Sequence, residues 1–101
     1  MMAIPTILFS NTKPQWKFET IAKLDTGASR TSIDEKVALA LRLPVITSKK
    51  FKNAMGSQKR DIVELLIEID SAIYSVEASV VDRAGLKAPV LLGQDIISLI
   101  S

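Results

Sequence analysis

The feature that most constrains the fold is a regular alternation of short apolar runs, rich in β-branched residues, with segments of turn-forming residues. Runs of this length and composition are typical of β-strands. They lie at residues 4–9, 16–24, 61–69, 73–81 and 89–92. Because Ser, Asn, Pro, Gly and Asp separate the runs, the pattern predicts a mostly β-stranded chain with tight connections.

Two segments depart from the strand pattern. Ser32 with Glu35 three residues later has the form of a capping box, which predicts a short helix over Glu35–Leu43 ended by Pro44. Residues 95–100 form an apolar tail that is either helical or extended. The predicted fold class is therefore all-β with one or two short helices.

The length of 101 residues is typical of one domain, so we expect a single domain over residues 1–101. Apolar residues make up 48% of the chain and aromatic residues only 5%. The core must then consist mainly of Ile, Leu, Val and Ala. The apolar stretch near the N-terminus is too short for a signal sequence or a membrane span, which favours a cytoplasmic protein without a membrane partner.

Charge is nearly balanced, with 13 basic and 11 acidic side chains and a net charge of +2. This balance argues against a nucleic-acid partner. The basic residues do cluster within residues 49–60, and the favoured interpretation of this cluster is a solvated hairpin. A weaker alternative is a basic surface that binds anionic partners through Lys49, Lys50, Lys52, Lys59 and Arg60.

The chain contains neither Cys nor His. Disulfides, thiol nucleophiles, Ser/His triads and zinc sites built from His or Cys are thereby excluded. Carboxylate chemistry is almost the only hydrolytic route left, and we expect no metal and no cofactor.

Asp25-Thr26-Gly27-Ala28-Ser29 follows the apolar-flanked run at residues 21–24 and has the form of a catalytic aspartate loop. Acid/base catalysis by carboxylates needs two of them close enough to share a proton. The chain has one copy of the loop. If the loop is catalytic, two identical chains must each contribute one Asp25 across a two-fold axis.

An Asp-Thr-Gly triplet alone is weak evidence, because a structural turn has the same form. The context strengthens it: an apolar strand precedes Asp25, small residues follow it, and the triplet Leu91-Leu92-Gly93 lies far downstream, where it could pack under the loop.

With these motifs the chain resembles the retropepsin-like aspartic proteases, whose signature is Asp-Thr/Ser-Gly-Ala plus a late apolar-apolar-Gly. Within that group it is most similar to the bacterial and archaeal branch labelled as ATP-dependent zinc proteases. The zinc label has no support here, because neither His nor Cys is present to hold the metal. The similarity covers most of the chain and includes residues 22–32, 51–56 and 81–95.

The resemblance implies a closed barrel with a flap hairpin, and an aspartic endopeptidase that acts as a homodimer on extended peptides. The two Asp25 carboxylates would hold the lytic water, one as general base and the other as general acid. Thr26 would hydrogen-bond across the dimer axis. Gly27, lacking a Cβ atom, would let backbone or substrate approach the carboxylates closely.

The resemblance also implies the peptide-binding residues. A hairpin with its tip near residues 53–57 would be the flap, with Met55 and Gly56 over the peptide and Gly56 supplying backbone freedom. The floor and walls of the peptide site would come from Ala28, Ser29 and residues 86–91, among them Pro89, Val90 and Leu91.

Two departures from the family pattern matter. Many retropepsins have Asp and Arg where this chain has Ser29 and Gln94. We expect either that Ser29 and Gln94 form a neutral substitute for that ion pair, or that Arg30 and Asp95 pair instead. The other departure is the short segment after the last apolar run, which leaves residues 4–9 to supply the dimer interface.

One alternative function remains open from the sequence. A noncatalytic β-barrel module could bind extended peptides by strand addition, with Asp25 as an ordinary loop residue. A carboxylate dyad predicts activity that falls on both sides of a pH optimum, whereas a binding module yields no product at any pH.

Overall fold

The computed structural model describes residues 2–54, 56–82 and 88–100. Within these residues the chain forms seven strands and two short helices. In chain order they are β1 (Ala3–Phe9), β2 (Lys17–Leu24), β3 (Ser32–Asp34), α1 (Glu35–Ala40), β4 (Val45–Asn53), β5 (Gly56–Ile69), β6 (Ala72–Val81), β7 (Val90–Leu92) and α2 (Gln94–Ile100).

Six of these strands close into a barrel. The sheet order is β1-β2-β7-β3-β6-β5-β4, and an additional pairing joins β1 to β5. That pairing places Ile7–Phe9 opposite Leu66–Glu68 and closes the ring. The predicted all-β closed barrel with two short helices is therefore confirmed.

The core lies inside this ring and is almost wholly aliphatic, as the composition predicted. Alternate residues along each strand point inward, so β5 contributes every second residue from Val63 to Ile69. α1 covers one opening of the barrel with Val37, and Leu41 and Leu43 follow it into the same core. The fully buried members of the core cluster are Leu8, Ala22, Ile33, Ile67, Ala78, Val90, Leu92 and Ile96.

A single long strand, β5, belongs to two hairpins. It pairs with β4 through its N-terminal half and with β6 through its C-terminal half. Asp70 and Ser71 make the β5–β6 turn with φ of 50° and 69°, the left-handed values that a two-residue hairpin turn requires. The β4–β5 hairpin has its turn after Asn53, which agrees with the predicted tip.

The start and end of the first helix differ from the prediction. Ser32 is not the N-cap but belongs to β3, and Asp34 caps the helix by accepting a hydrogen bond from the Lys36 amide (3.3 Å). The helix ends at Ala40 rather than Leu43. Ser32 is in a strand and not at a helix N-cap because β3 pairs with both β6 and β7, and this pairing buries Ile33 completely.

The apolar tail is helical: Gln94–Ile100 forms α2 and buries Ile96 against the barrel. Neither helix in the described part of the chain is long and apolar enough to cross a membrane.

Candidate active site

Asp25 leaves the end of β2 at a point where three strands meet. β7 lies between β2 and β3, parallel to the first and antiparallel to the second. The Asp25 amide continues the β2–β7 ladder by donating to the Leu92 carbonyl (3.0 Å). The loop therefore starts from a rigid sheet position, as a precisely held side chain requires.

The loop folds back on its own aspartate. The Gly27 amide donates to Asp25 Oδ1 (2.9 Å), and the Ala28 amide donates to the Asp25 carbonyl (3.2 Å). A Cβ atom on Gly27 would lie 3.3 Å from the same Oδ1, which is tight. Asp25 is half-buried, whereas Thr26 and Gly27 are exposed. The Gly27 amide binds Oδ1, and none of the described residues donates a hydrogen bond to Oδ2.

The late Leu91-Leu92-Gly93 triplet does pack under the loop. A Cβ atom on Gly93 would lie 2.7–2.8 Å from three backbone atoms of Arg30, so only glycine fits there. The first two amides of α2 also reach the loop: Gln94 N donates to the Ala28 carbonyl (2.8 Å) and Asp95 N to the Ser29 carbonyl (3.3 Å).

A buried network that the sequence did not reveal ties the loop to α2. Thr31, fully buried, donates through Oγ1 to Asp95 Oδ1 (2.7 Å) and through its amide to Asp95 Oδ2 (2.9 Å). The same Oγ1 accepts from the Gly93 amide (3.3 Å). The two segments lie about 60 residues apart in the chain. The family resemblance implied that they meet, but no pattern in the sequence singled out Thr31 as the partner of Asp95.

The structure corrects the expected substitutes for the missing ion pair. The Gln94 side chain donates to the Thr26 carbonyl (3.0 Å) and not to Ser29. Asp95 is bound by Thr31 and not by Arg30, whose Nη1 is buried without a hydrogen-bond partner. The Thr31 amide and hydroxyl together bind both oxygens of the Asp95 carboxylate.

The predicted peptide-contacting residues differ in how exposed their side chains are. Ala28 and Leu91 are half-buried and Ser29 is exposed, so all three remain accessible. Val90 is fully buried in the core, which removes its side chain from the residues that could contact a peptide.

The remaining predicted contacts lie at the hairpin and before β7. Pro89 is half-buried, and its carbonyl accepts from the Asp34 amide (2.8 Å). Gly56 has φ of +121°, a value that favours glycine. Met55 and residues 83–87 lie outside the described residues.

Asp25 lines neither of the two grooves found among the described residues. The first, about 830 Å³, lies between α1 and the base of the β4–β5 hairpin, where Leu39, Val45 and Val63 are among the lining residues. A second groove lies beside β1 and β2 and also lacks Asp25. Among the described residues no group of three or more acidic side chains is placed to hold a metal ion.

Comparison with known proteins gives a family and a fold. The family model described as aspartyl protease matches residues 17–96. No protein of curated function matches the chain.

Among solved structures, the protease of Simian Foamy Virus (mac) superposes with a TM-score of 0.69 at 15% identity, covering 98% of this chain and 94% of that one. The EIAV protease, solved with the inhibitor HBY-793, superposes with a TM-score of 0.71 at 14% identity, covering 98% of this chain and 86% of that one. A Legionella pneumophila protein of unknown function superposes with a TM-score of 0.64 at 18% identity, covering 98% of this chain and 85% of that one. At these identities the likenesses establish the fold.

Proposed function

The chain belongs to the aspartyl protease family, and on that premise we propose that it is an aspartic endopeptidase acting as a homodimer. Two Asp25 carboxylates, one from each chain, would activate a water molecule for attack on a peptide carbonyl. One carboxylate is ionised and takes a proton from the water, while the other is protonated and donates to the carbonyl oxygen.

The observation that carries the proposal is the way the single Asp25 is held. Its backbone is hydrogen-bonded to Leu92, one oxygen is bound by Gly27, and the next two residues in the chain are exposed. A carboxylate oriented in this manner at an open surface suits a site completed by a second copy.

Roles for the neighbouring residues follow from their positions. The Thr26 carbonyl is bound by Gln94, which leaves the exposed Thr26 side chain to hydrogen-bond across the dimer axis. Gly27 keeps the approach to Asp25 open. Ala28, Ser29, Pro89 and Leu91 would form the floor of the peptide site.

The β4–β5 hairpin would act as the flap, with Gly56 at its tip. β4 pairs only with β5 among the described strands, so the hairpin projects from the barrel along one edge. A peptide lying extended under it would pair with main-chain groups and place alternate side chains in pockets.

The open edge of β4 also favours a second candidate function. A noncatalytic module could add a peptide strand to that edge without using Asp25. In that case peptide binding would survive any change at Asp25, and no peptide would be cleaved.

The test is to incubate the purified chain with a diverse peptide mixture from acidic to neutral pH and to identify new termini by mass spectrometry. The Asp25→Asn variant is the matched control, since it keeps the shape of the side chain. We expect cleavage by the wild type alone. Its activity should pass through a pH optimum and fall at both lower and higher pH. Absence of cleavage at concentrations where the chain is dimeric would overturn the catalytic proposal.

We also propose that residues 1–101 form a single domain and that the protein is cytoplasmic. Within the family, we propose that it belongs to the bacterial and archaeal branch labelled as ATP-dependent zinc proteases. No metal or cofactor has a role in the proposed reaction.

A further inference from the structure

Positive charge in this chain is concentrated on the β4–β5 hairpin. Residues 45–63 carry five cationic side chains and one acidic side chain, whereas the rest of the chain carries eight cationic and ten acidic ones. The hairpin therefore holds the whole excess of positive charge, on the element that the proposed function places over the substrate.

Two successive rungs of the hairpin oppose like charges. Lys49 lies directly opposite Arg60, and Lys50 lies directly opposite Lys59. Directly opposed like charges destabilise a β-ladder. The one acidic side chain, Asp61, is on the face of Lys59 and is bound by the Ser48 hydroxyl (2.8 Å). The face with Lys49 and Arg60 has no acidic side chain within residues 45–63, so an anionic ligand would relieve its repulsion.

That face continues the side of the sheet that leads to Asp25. Residues that lie directly opposite each other in neighbouring strands have their side chains on the same face of the sheet. Starting from Lys23 in β2, the successive partners across the sheet are Leu91, Ser32, Ser79, Ile62 and Thr47. Alternation along β4 and β5 then places Lys49, Phe51 and Arg60 on the same face as Thr47 and Ile62. Lys23, two residues before Asp25, begins this row.

Arg60 is already positioned on this face. Its guanidinium carbon lies 5.1 Å from the Phe51 ring centroid, and Nη2 donates to Gln58 Oε1 (3.2 Å). Phe51 and Arg60 are both half-buried, whereas the four lysines of the hairpin, Lys49 included, are exposed. A guanidinium stacked on a ring loses little rotamer entropy when it forms a two-pronged contact with a carboxylate.

The segment that follows Asp25 includes another cation, Arg30. Arg30 Nη1 is buried and makes no hydrogen bond. Because this nitrogen is buried, it is not a contact for a substrate. The cations of the proposed site that a ligand can reach are those of the hairpin.

From these observations we propose that the peptide site selects acidic polypeptide segments, with Arg60 and Lys49 receiving carboxylate side chains of the substrate. This inference rests on the proposed function for the location of the peptide. A polypeptide is favoured over nucleic acid because the only aromatic ring of the hairpin, Phe51, is already covered by Arg60 and offers no free stacking surface for a base.

The test measures binding to the Asp25→Asn protein, so that no cleavage is needed. The probes are two fluorescein-labelled twelve-residue peptides, one alternating Glu with Leu and the other alternating Gln with Leu, compared by fluorescence anisotropy at low salt. We expect the Glu peptide to bind about tenfold more tightly, and the difference to shrink as salt is added.

A hairpin variant that carries both Lys49→Gln and Arg60→Gln in the same protein should lose most of the preference for the Glu peptide. A control variant with Lys13→Gln and Lys17→Gln, which removes the same charge from the β1–β2 end, should retain that preference. The melting temperature of the hairpin variant separates lost binding from lost folding. Removing the opposed like charges stabilises the ladder and losing the Arg60–Phe51 contact destabilises it, so we expect little net change.

Equal binding of the two peptides, or a preference that survives the hairpin variant, would overturn the inference. So would tighter binding of a labelled single-stranded oligonucleotide that the hairpin variant abolishes, since nucleic acid would then be the ligand. Acidic preference in a protein that cleaves nothing would support the inference while the catalytic proposal fails. Cleavage without acidic preference would do the reverse.

Discussion

At the scale of single residues, Gly93 is a position where adding one carbon atom would disturb the site. It follows Leu92, whose carbonyl holds the Asp25 amide, and it lies against the backbone of Arg30. Backbone atoms at 2.7–2.8 Å from a new Cβ cannot rotate away as a side-chain end could. The site is therefore sensitive to a methyl group placed outside the catalytic loop.

We expect Gly93→Ala to destabilise the fold by about 1–3 kcal/mol, because it overpacks a contact between two backbones. Urea unfolding followed by circular dichroism measures the change. Ser98→Ala, on the exposed face of α2, is the control and should change stability by less than about 0.5 kcal/mol. Equal stability of both variants would show that the loop moves aside without cost.

At the scale of elements, α2 and the Asp25 loop act as one unit. Two amides at the start of the helix bind loop carbonyls, and Asp95 binds the buried Thr31 in return. Thr31 Oγ1 is central because it donates to Asp95 and accepts from the Gly93 amide. The helix thus holds the loop, although it contributes no group to the proposed chemistry.

Thr31→Val should cost at least about 2 kcal/mol, because it leaves both Asp95 Oδ1 and the Gly93 amide without a partner in a buried site. Thr31→Ser keeps the hydroxyl and loses one methyl group, so we expect a cost near 0.8 kcal/mol. Thermal and urea unfolding of the pair give the comparison. If the two variants are equally stable, the hydroxyl has no structural role.

At the scale of the whole molecule, the chain presents surfaces that a second copy could cover near Asp25. β1 pairs with β5 only over Ile7–Phe9, which leaves one edge of residues 3–6 without a described partner strand. The Met2 carbonyl accepts from the Leu24 amide (2.9 Å), so this segment lies beside the residue that precedes Asp25. Met2 is 69% exposed, although a thioether side chain is apolar.

Mixing wild-type and Asp25→Asn chains tests whether the site belongs to two chains. At equal amounts and with random pairing, about a quarter of dimers hold two Asp25 side chains, so activity should fall to about a quarter of the all-wild-type value. Independent sites in single chains would leave about half. Analytical ultracentrifugation of both proteins under the assay conditions checks that the substitution leaves dimerisation intact.

The sequence by itself determined the strand pattern, the aliphatic core and the Asp25 loop, because alternation, turn residues and a contiguous motif are local properties. Only the tertiary structure decided that Ser32 joins a strand, that Val90 is buried, and that Asp95 binds Thr31 rather than Arg30. These outcomes depend on contacts between segments far apart in the chain. There, burial of a side chain and the geometry of competing donors outweigh local preference.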